Sequence, residues 1–252
     1  MKRKERKHLK ENELARSIRE TQEFLQMNQR PLTAVLVVVF LILAGVGGFT
    51  LMRQRTDALA QTVLAEAMAA LNARVVPATP AAEQPPGELP PAASIGATGT
   101  FLTQEAKLTA ALPKLKAAAD AYPDSGPGIQ ARYHMASTLA FLGRQLEAIQ
   151  AFEDVERRAG ASSLYRRMAR LGKADAQMRA GQVDAAIATW KELSSAKDDD
   201  LPQDAILMEL ARAYAAKGNK QDAEKTFNQV VDEHPDSPYA AEAKQELESL
   251  KG

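Results

Sequence analysis

One pattern of small and aromatic residues occurs three times in the C-terminal half of this 252-residue chain. In each copy an alanine precedes a glycine by seven residues, a second alanine follows the glycine by five, and an aromatic residue lies four residues further on. The copies are Ala136/Gly143/Ala148/Phe152, Ala174/Gly181/Ala186/Trp190 and Ala211/Gly218/Ala223/Phe227. A repeat of this length predicts a series of similar supersecondary units.

Each copy is best explained as a helical hairpin. Two antiparallel helices approach closely only where small residues face each other, and the two alanines meet that need. The glycine ends the first helix, because a residue without Cβ adopts the left-handed cap conformation easily. The aromatic residue then fills the space between one hairpin and the next. Since a single hairpin cannot bury its own faces, the hairpins must stack to form a core.

Proline, serine and aspartate mark the expected helix boundaries. The twin segments Tyr-Pro-Asp-Ser (122–125) and His-Pro-Asp-Ser (234–237) each combine a helix-ending proline with a residue that can cap the next helix. Ser237 followed by Pro238 predicts a cap and a first-turn proline for a terminal capping helix over 238–250. Asp200 with Gln203 resembles a capping box.

The repeated positions resemble the tetratricopeptide repeat, which has small, small and aromatic residues at the matched positions and a proline near its end. The glycines here lie 38 and 37 residues apart (143 to 181, 181 to 218), against a usual period of about 34, so extended loops are expected between repeats. The resemblance implies an all-α, tetratricopeptide-like helical-hairpin solenoid over residues 101–252. In the same register, Ala111, Leu115, Ala118 and Pro123 fit the second helix of an earlier repeat.

The first helix of that earlier repeat is predicted at 56–73. Leu59, Val63, Ala67 and Leu71 recur there every four residues and form one apolar stripe. Six prolines follow within 75–100, and because they remove backbone donors they predict an extended linker. We therefore predict that helix 56–73 packs against a helix over 104–121, with the linker looped out between them.

An uncharged run of 21 residues, Leu32 to Met52, predicts a transmembrane helix over 31–52 and a juxtamembrane helix over 53–74. A helix of that length rises about 31 Å, which matches the hydrocarbon thickness of a bilayer. A cleaved signal peptide is the alternative, with Ala44, Gly45 and Gly48 among the small residues near a cleavage site. Signal peptides normally have a shorter apolar stretch, of roughly 7–15 residues, and no 30-residue polar tail before it.

Basic residues predict the orientation of that helix. Residues 1–30 contain nine Lys or Arg, whereas the twenty residues after Met52 contain only Arg53 and Arg55. The positive-inside rule puts the charged tail 1–30 in the cytoplasm. The C-terminal domain is then periplasmic in a bacterium, with the chain anchored as a single-pass protein of the inner membrane. A eukaryotic type II membrane protein would have the same layout.

Few residues indicate catalysis, metal binding or nucleic-acid binding. Equal numbers of basic and acidic residues, 32 of each, disfavour a nucleic-acid-binding protein. The absence of cysteine excludes disulfides, thiolate ligands and lipid attachment through a cysteine. His8, His134 and His234 are too far apart to predict a metal site. The Asp198–Asp200 run lacks the glycine and glutamate of a calcium loop. With no recognisable catalytic motif, we expect no enzymatic activity and no cofactor.

A protein-binding groove is the remaining expectation. In the resembled repeat, the first helix of each pair lines a concave surface, and methionine and aromatic side chains there adapt to varied apolar partners. The alternative is that the same side chains only pack the core. The groove positions carried over are Gln130, Tyr133, Ser137, Phe141, Met168, Leu171, Asp175, Met178, Arg179, Met208 and Arg212.

The whole layout resembles the ancillary subunit of the bacterial Sec translocon, which has a short cytoplasmic tail, one span and a periplasmic tetratricopeptide-like domain. That resemblance implies translocon subunits, periplasmic chaperones or exported chains as partners, and a role in protein translocation or in the folding of exported proteins. A cell-envelope scaffold for division or secretion-system assembly is the alternative function.

Overall fold

The structure, a computed structural model, describes residues 29–76, 100–196 and 201–251. The chain forms two units, Met1–Arg55 and Thr56–Gly252. Most of the predicted cytoplasmic tail, most of the predicted linker and the Asp198–Asp200 run lie outside the described residues.

The described elements are helices, apart from one pair of two-residue strands. In chain order they are α1 (Gln29–Leu71), β1 (Arg74–Val75), β2 (Thr100–Phe101), α2 (Gln104–Ala121), α3 (Gly126–Phe141), α4 (Gln145–Arg158), α5 (Leu164–Arg179), α6 (Val183–Ser195), α7 (Gln203–Ala216), α8 (Lys220–Glu233) and α9 (Pro238–Lys251). Antiparallel neighbours α3/α4, α5/α6 and α7/α8 are the three predicted hairpins, and α9 is the predicted terminal helix.

The first unit contains the apolar part of α1. Its large apolar side chains between Val37 and Met52 are all exposed to the surroundings. By length and composition, the helix from Val37 onward could cross a membrane, and a signal sequence would meet the same criteria.

The first hairpin of the second unit pairs the end of α1 with α2. Leu64 and Ala67 form one buried cluster with Ala111 and Leu115, and Lys114 Nζ lies 3.3 Å from a Glu66 carboxylate oxygen. This confirms the predicted pairing across the looped-out segment.

The stripe predicted on this part of α1 is partly wrong. Leu59 is 58% exposed, and among the described side chains of α1 the buried ones are Ala60, Leu64 and Ala67. A strict four-residue spacing drifts by about 40° per step on a helix with 3.6 residues per turn, whereas alternating steps of four and three stay on one face.

A short parallel strand pair joins the two ends of the predicted linker. Arg74 lies opposite Thr100 and Val75 opposite Phe101, and the Val76 amide donates to the Phe101 carbonyl at 2.8 Å. No pattern in the sequence predicts this pair, because two residues are too few to show a strand period.

The three repeat glycines end α3, α5 and α7 as predicted. Gly143, Gly181 and Gly218 have φ angles of 76°, 75° and 81°. In the first turn, the Gly143 amide donates to Ala140 and the following amide donates to Leu139, which satisfies carbonyls at the helix end. The other two turns repeat both bonds.

The repeated alanines and aromatic residues form the core. All six alanines are fully buried. The three aromatic residues are at most 5% exposed. Phe152 packs with Ala169 of the next hairpin, Trp190 with Ile206, and Phe227 with Ala243 of α9. Each aromatic residue therefore fills the space between neighbouring hairpins, as predicted.

Two of the three predicted caps are present. The Ser125 hydroxyl accepts from the Gly128 amide at the start of α3, and the Ser237 hydroxyl accepts from the Tyr239 amide at the start of α9. The capping box at Asp200 is wrong, because α7 begins at Gln203 itself, with Pro202 as its N-cap residue and no side-chain cap bond.

Candidate functional site

An open groove of about 330 Å³ lies between α3 and α5. Seven of the eleven predicted groove residues line it: Tyr133, Ser137, Phe141, Met168, Leu171, Asp175 and Arg179. Ala140, Phe152 and Gly172 complete the lining. This α3–α5 groove brings residues more than forty positions apart onto one surface, as stacked hairpins require.

Aromatic rings form the floor of the α3–α5 groove. The ring of Tyr133 lies 6.0 Å from the ring of Phe152 and 5.6 Å from that of Tyr165. Gly172 lies against the Phe152 ring, and a Cβ at this position would be 2.5 Å from Cζ. The missing side chain therefore lets Phe152 reach the groove floor.

The rim combines one exposed aromatic residue with one ion pair. Phe141 is 65% exposed, so most of its ring is open to contact with another molecule. Arg179 Nε donates to a carboxylate oxygen of Asp175 at 3.0 Å, and both side chains are accessible to solvent. The groove thus has an apolar floor and a polar edge, an arrangement common in ligand-binding pockets.

Burial shifts the pKa of two side chains that contact Tyr133. Burial raises the pKa of Tyr165, with a smaller contribution from Tyr133, and burial lowers the pKa of His134, which contacts Tyr133 edge to face. In the groove lining itself, the charged residues are Asp175 and Arg179.

The other four predicted groove residues lie elsewhere. Gln130 is half-buried on α3 but does not line the α3–α5 groove, and Met178 packs against the α6–α7 cluster. Met208 is wholly buried, so its assignment to an open groove is wrong. The reason is that Met208 belongs to the cluster that α9 completes.

Arg212 is occupied by partners within the domain. It pairs with Glu209 at 2.6 Å and with Glu242 of α9 at 2.5 Å. Its guanidinium is thus held by the domain's own carboxylates.

Three lining residues, Ala140, Phe152 and Gly172, are absent from the predicted set, and the last two are missed for different reasons. The repeat pattern assigns Phe152 only to the space between two hairpins. In the structure the same ring also reaches the groove. Gly172 lies outside the threefold pattern, and a glycine in mid-helix, which is unfavourable for the helix itself, is the signal that could have indicated a close contact.

A second cavity of about 590 Å³ lies between α2, α3 and α4. Its centre is Arg132, whose guanidinium donates to the Ala119 carbonyl and contacts Asp154 at 2.6 Å. Lys116, Arg144 and Arg157 on the rim each pair with an acidic residue of the same lining. These internal pairs neutralise the charges, and the described residues contain no cluster that could hold a metal ion.

Comparison with known proteins places the repeats in a class. Residues 171–238 match the family model described as tetratricopeptide repeat. The match covers part of α5 and all of α6, α7 and α8, and the stacked hairpins as a whole form a tetratricopeptide-like solenoid. Solenoids of this kind present extended surfaces that suit the binding of other proteins.

Two of the similar solved structures support the fold. Two crystal structures from Podosopora anserina, both titled "putative kinesin light chain nearly identical TPR-like repeats" and one of them a point variant, share 21% and 20% identity with the chain. They cover 58% of this chain and 78% and 79% of their own chains, each with a TM-score of 0.50. MamA from Desulfovibrio magneticus RS-1 has 19% identity, covers 57% of this chain and 86% of its own, and has a TM-score of 0.45. No curated protein matches the sequence.

Proposed function

We propose that this protein is a membrane-anchored interaction module whose α3–α5 groove binds apolar segments of other proteins. The observation that carries the proposal is the groove itself, where Tyr133, Phe152 and Met168 form an apolar floor beside the Asp175–Arg179 pair. A partner that buries Phe141 gains apolar burial worth roughly 1.5–3 kcal/mol for one large side chain.

The anchor in this proposal is the apolar part of α1. Its length and composition suit a membrane span, and the excess of Lys and Arg in residues 1–30 favours a cytoplasmic N-terminus. The repeat domain then faces the periplasm of a bacterium. A reporter that is active only outside the cytoplasm, fused after Gly252, should be active, and an inactive fusion with an active N-terminal fusion would contradict this orientation.

Within that compartment, the proposed role is assistance to the translocation or folding of exported proteins, with translocon subunits, periplasmic chaperones or exported chains as partners. The protein acts without a cofactor and is not an enzyme in this proposal. A cell-envelope scaffold for division or secretion-system assembly is the second candidate, supported by the same layout. Copurification in mild detergent separates the two: translocon subunits favour the first, and division or secretion-system proteins favour the second.

A photoreactive residue in place of Ser137 tests the groove directly. It should cross-link partner proteins in cells, and Phe141→Ser in the same chain should reduce the yield severalfold because an exposed apolar contact is lost. Leu146→Ser is the matched control, since Leu146 is 61% exposed on α4 but does not line the groove. Equal yields from the Phe141 and Leu146 variants would refute binding in the groove.

A further inference from the structure

The cavity of about 590 Å³ between α2, α3 and α4 is a second groove, which we call the α2–α4 groove. Its lining extends from Arg144, the N-cap residue of α4, to Arg157 near the end of that helix. Because a helix rises 1.5 Å per residue, the groove is about 20 Å long. It shares no lining residue with the α3–α5 groove. The two grooves therefore use different faces of α3.

Part of the lining of the α2–α4 groove is apolar. Leu112 and Pro113 of α2 line it together with Met135 and Leu139 of α3. Leu139 is buried, whereas Pro113 is exposed and Leu112 and Met135 are half-buried. Apolar surface therefore remains open to solvent here, and a ligand that covers it gains the free energy of apolar burial.

The charged part of the lining has one positive charge in excess. Each of the three rim cations already pairs with an acidic residue of the lining. Arg132 is a fourth cation, and it shares the Asp154 carboxylate with Arg157. Its Nη2 lies 3.4 Å from an Asp120 oxygen, but Lys116 holds that carboxylate at 2.6 Å. Four basic residues therefore face three acidic ones, and the excess charge lies at Arg132.

The guanidinium of Arg132 also has an unused donor. The side chain is only 10% exposed, and its Nη atoms contact the Ala119 carbonyl and Asp154. Its Nε is buried, and no residue in the described part of the chain accepts a hydrogen bond from it. A buried donor without an acceptor is costly, so such a group points to an acceptor supplied from outside the chain. The excess charge and the unused donor both suit a carboxylate.

We propose that the α2–α4 groove binds an extended segment of a partner protein that carries a glutamate with an apolar residue two positions away on each side. Side chains two positions apart share one face of an extended chain. The glutamate carboxylate then accepts from Arg132 Nε, and the two apolar side chains contact the surface of Leu112 and Met135. This inference does not depend on the proposed function of the α3–α5 groove.

The shape of the groove favours a polypeptide over a compact ligand. About six extended residues span 20 Å. The rim remains open to solvent, with the Arg157 side chain 66% exposed, so that a bound chain can continue beyond the groove. A site for a small molecule normally encloses most of its ligand.

Two peptides test the proposal with the full chain in detergent. The probe is acetyl-Ser-Leu-Ser-Glu-Ser-Leu-amide, and the comparison peptide has Gln in place of Glu. The Glu peptide should bind about tenfold more tightly, which is the factor expected for a hydrogen bond between charged groups. Isothermal titration calorimetry measures both affinities. Equal affinities, or no binding of the Glu peptide at millimolar concentration, would overturn the proposal.

One exposed residue locates the peptide in the groove. Gln150→Glu adds a carboxylate to the lining at an exposed position, so it should weaken the Glu peptide severalfold more than the Gln peptide. Gln221→Glu is the matched control, because Gln221 is exposed on α8 and lies outside the groove. An unchanged affinity in the Gln150 variant, or an equal loss in both variants, would overturn the proposal.

Arg132→Lys tests the unused donor itself. It keeps the positive charge but removes Nε, so it should lower the preference for the Glu peptide over the Gln peptide severalfold, and an unchanged preference would overturn the proposal. Helicity and the fluorescence of Trp190 report whether the variant folds, and if it does not, Gln150→Glu decides the question. Octanoate, an apolar carboxylate without a peptide backbone, should bind more weakly than the Glu peptide. Equal binding would indicate a lipid-like ligand and would also overturn the proposal.

Discussion

The ring of Phe152 lies so close to Gly172 that a Cβ at residue 172 would come within 2.5 Å of Cζ. This contact joins α4 to α5, and therefore joins one repeat to the next. It also forms the floor of the α3–α5 groove, so the same contact serves stability and the proposed binding site.

Gly172→Ala should destabilise the repeat domain. The added methyl group must displace a ring in a packed core, and such overpacking costs typically about 1–3 kcal/mol. Chemical denaturation followed through Trp190, the single tryptophan of the chain, measures the loss. Gly160→Ala is the control, because a Cβ there meets no atom within 4 Å, and a comparable loss in both variants would contradict the explanation.

Gly218→Ala should also destabilise the domain, for a reason of backbone geometry. Nothing lies within 4 Å of a Cβ at this position, but φ is +81°, and a non-glycine residue in the left-handed region costs about 1–2 kcal/mol. Gly218→Asn should lose less, because asparagine tolerates this conformation. Thermal unfolding measures both variants. A lower melting temperature for the asparagine variant than for the alanine variant would rule out the positive φ as the cause.

Removing Asp154 should lower the stability of the domain more than removing Arg132, its partner in an ion pair. Asp154→Ala leaves the Arg132 side chain, 10% exposed, with the Ala119 carbonyl and the more distant Asp120 at 3.4 Å. Because these contacts compensate the charge in part, we expect a loss below the value of about 3–5 kcal/mol for a buried charge without any partner. Arg132→Met should cost less, because Asp154 keeps Arg157 and Arg158 as partners.

Urea denaturation of both variants measures this difference. Glu147→Ala is a suitable control, since its pair with Arg144 is exposed and its loss should leave the midpoint unchanged. If Arg132→Met proved the more damaging change, Arg132 would contribute mainly through packing rather than through charge.

The bond between Ser237 and Asp204 should make the C-terminal end of the domain sensitive to acid. The Ser237 hydroxyl lowers the pKa of Asp204, against burial, which raises it. Because the folded-state pKa is lowered, this stabilisation is present above the unfolded-state value of about 3.9 and is lost as pH falls through the folded-state value.

Asp204→Asn should therefore lower the melting temperature at pH 7, and the difference from the wild type should shrink at pH 3. Thermal unfolding followed by circular dichroism measures both. Asp236→Asn, at an exposed neighbouring carboxylate, controls for a general effect of charge. A difference between the wild type and Asp204→Asn that grew with acidity would have the wrong sign for this mechanism.

Most of the fold follows from local patterns in the sequence. Helix packing requires a glycine at the turn, a pair of alanines and an aromatic residue at fixed spacings. Gly143, Ala148 and Phe152 can therefore be placed from the residue pattern alone. The pairing of α1 with α2 also follows, because the repeat register demands a first helix for the earliest repeat.

The groove is predicted less completely, because burial there depends on elements distant in sequence. Tyr133 and Met168 can be placed by register alone, whereas the burial of Met208 depends on where α9 packs. Gly172 stands outside the repeated pattern, since its role is set by a ring on the neighbouring helix. Leu59 is predicted on the buried stripe because leucine is more hydrophobic than the adjacent Ala60. The structure buries Ala60 and exposes Leu59.

The strand pair of Arg74–Val75 with Thr100–Phe101 holds the two ends of the segment 77–99 side by side. The geometry of the α1–α2 hairpin therefore does not depend on how many residues lie between the two strands. Doubling the length of such a loop adds only about 0.6 kcal/mol of closure cost. A longer connection between the two strands therefore costs little, and the segment offers an insertion point for a tag or a sensor domain.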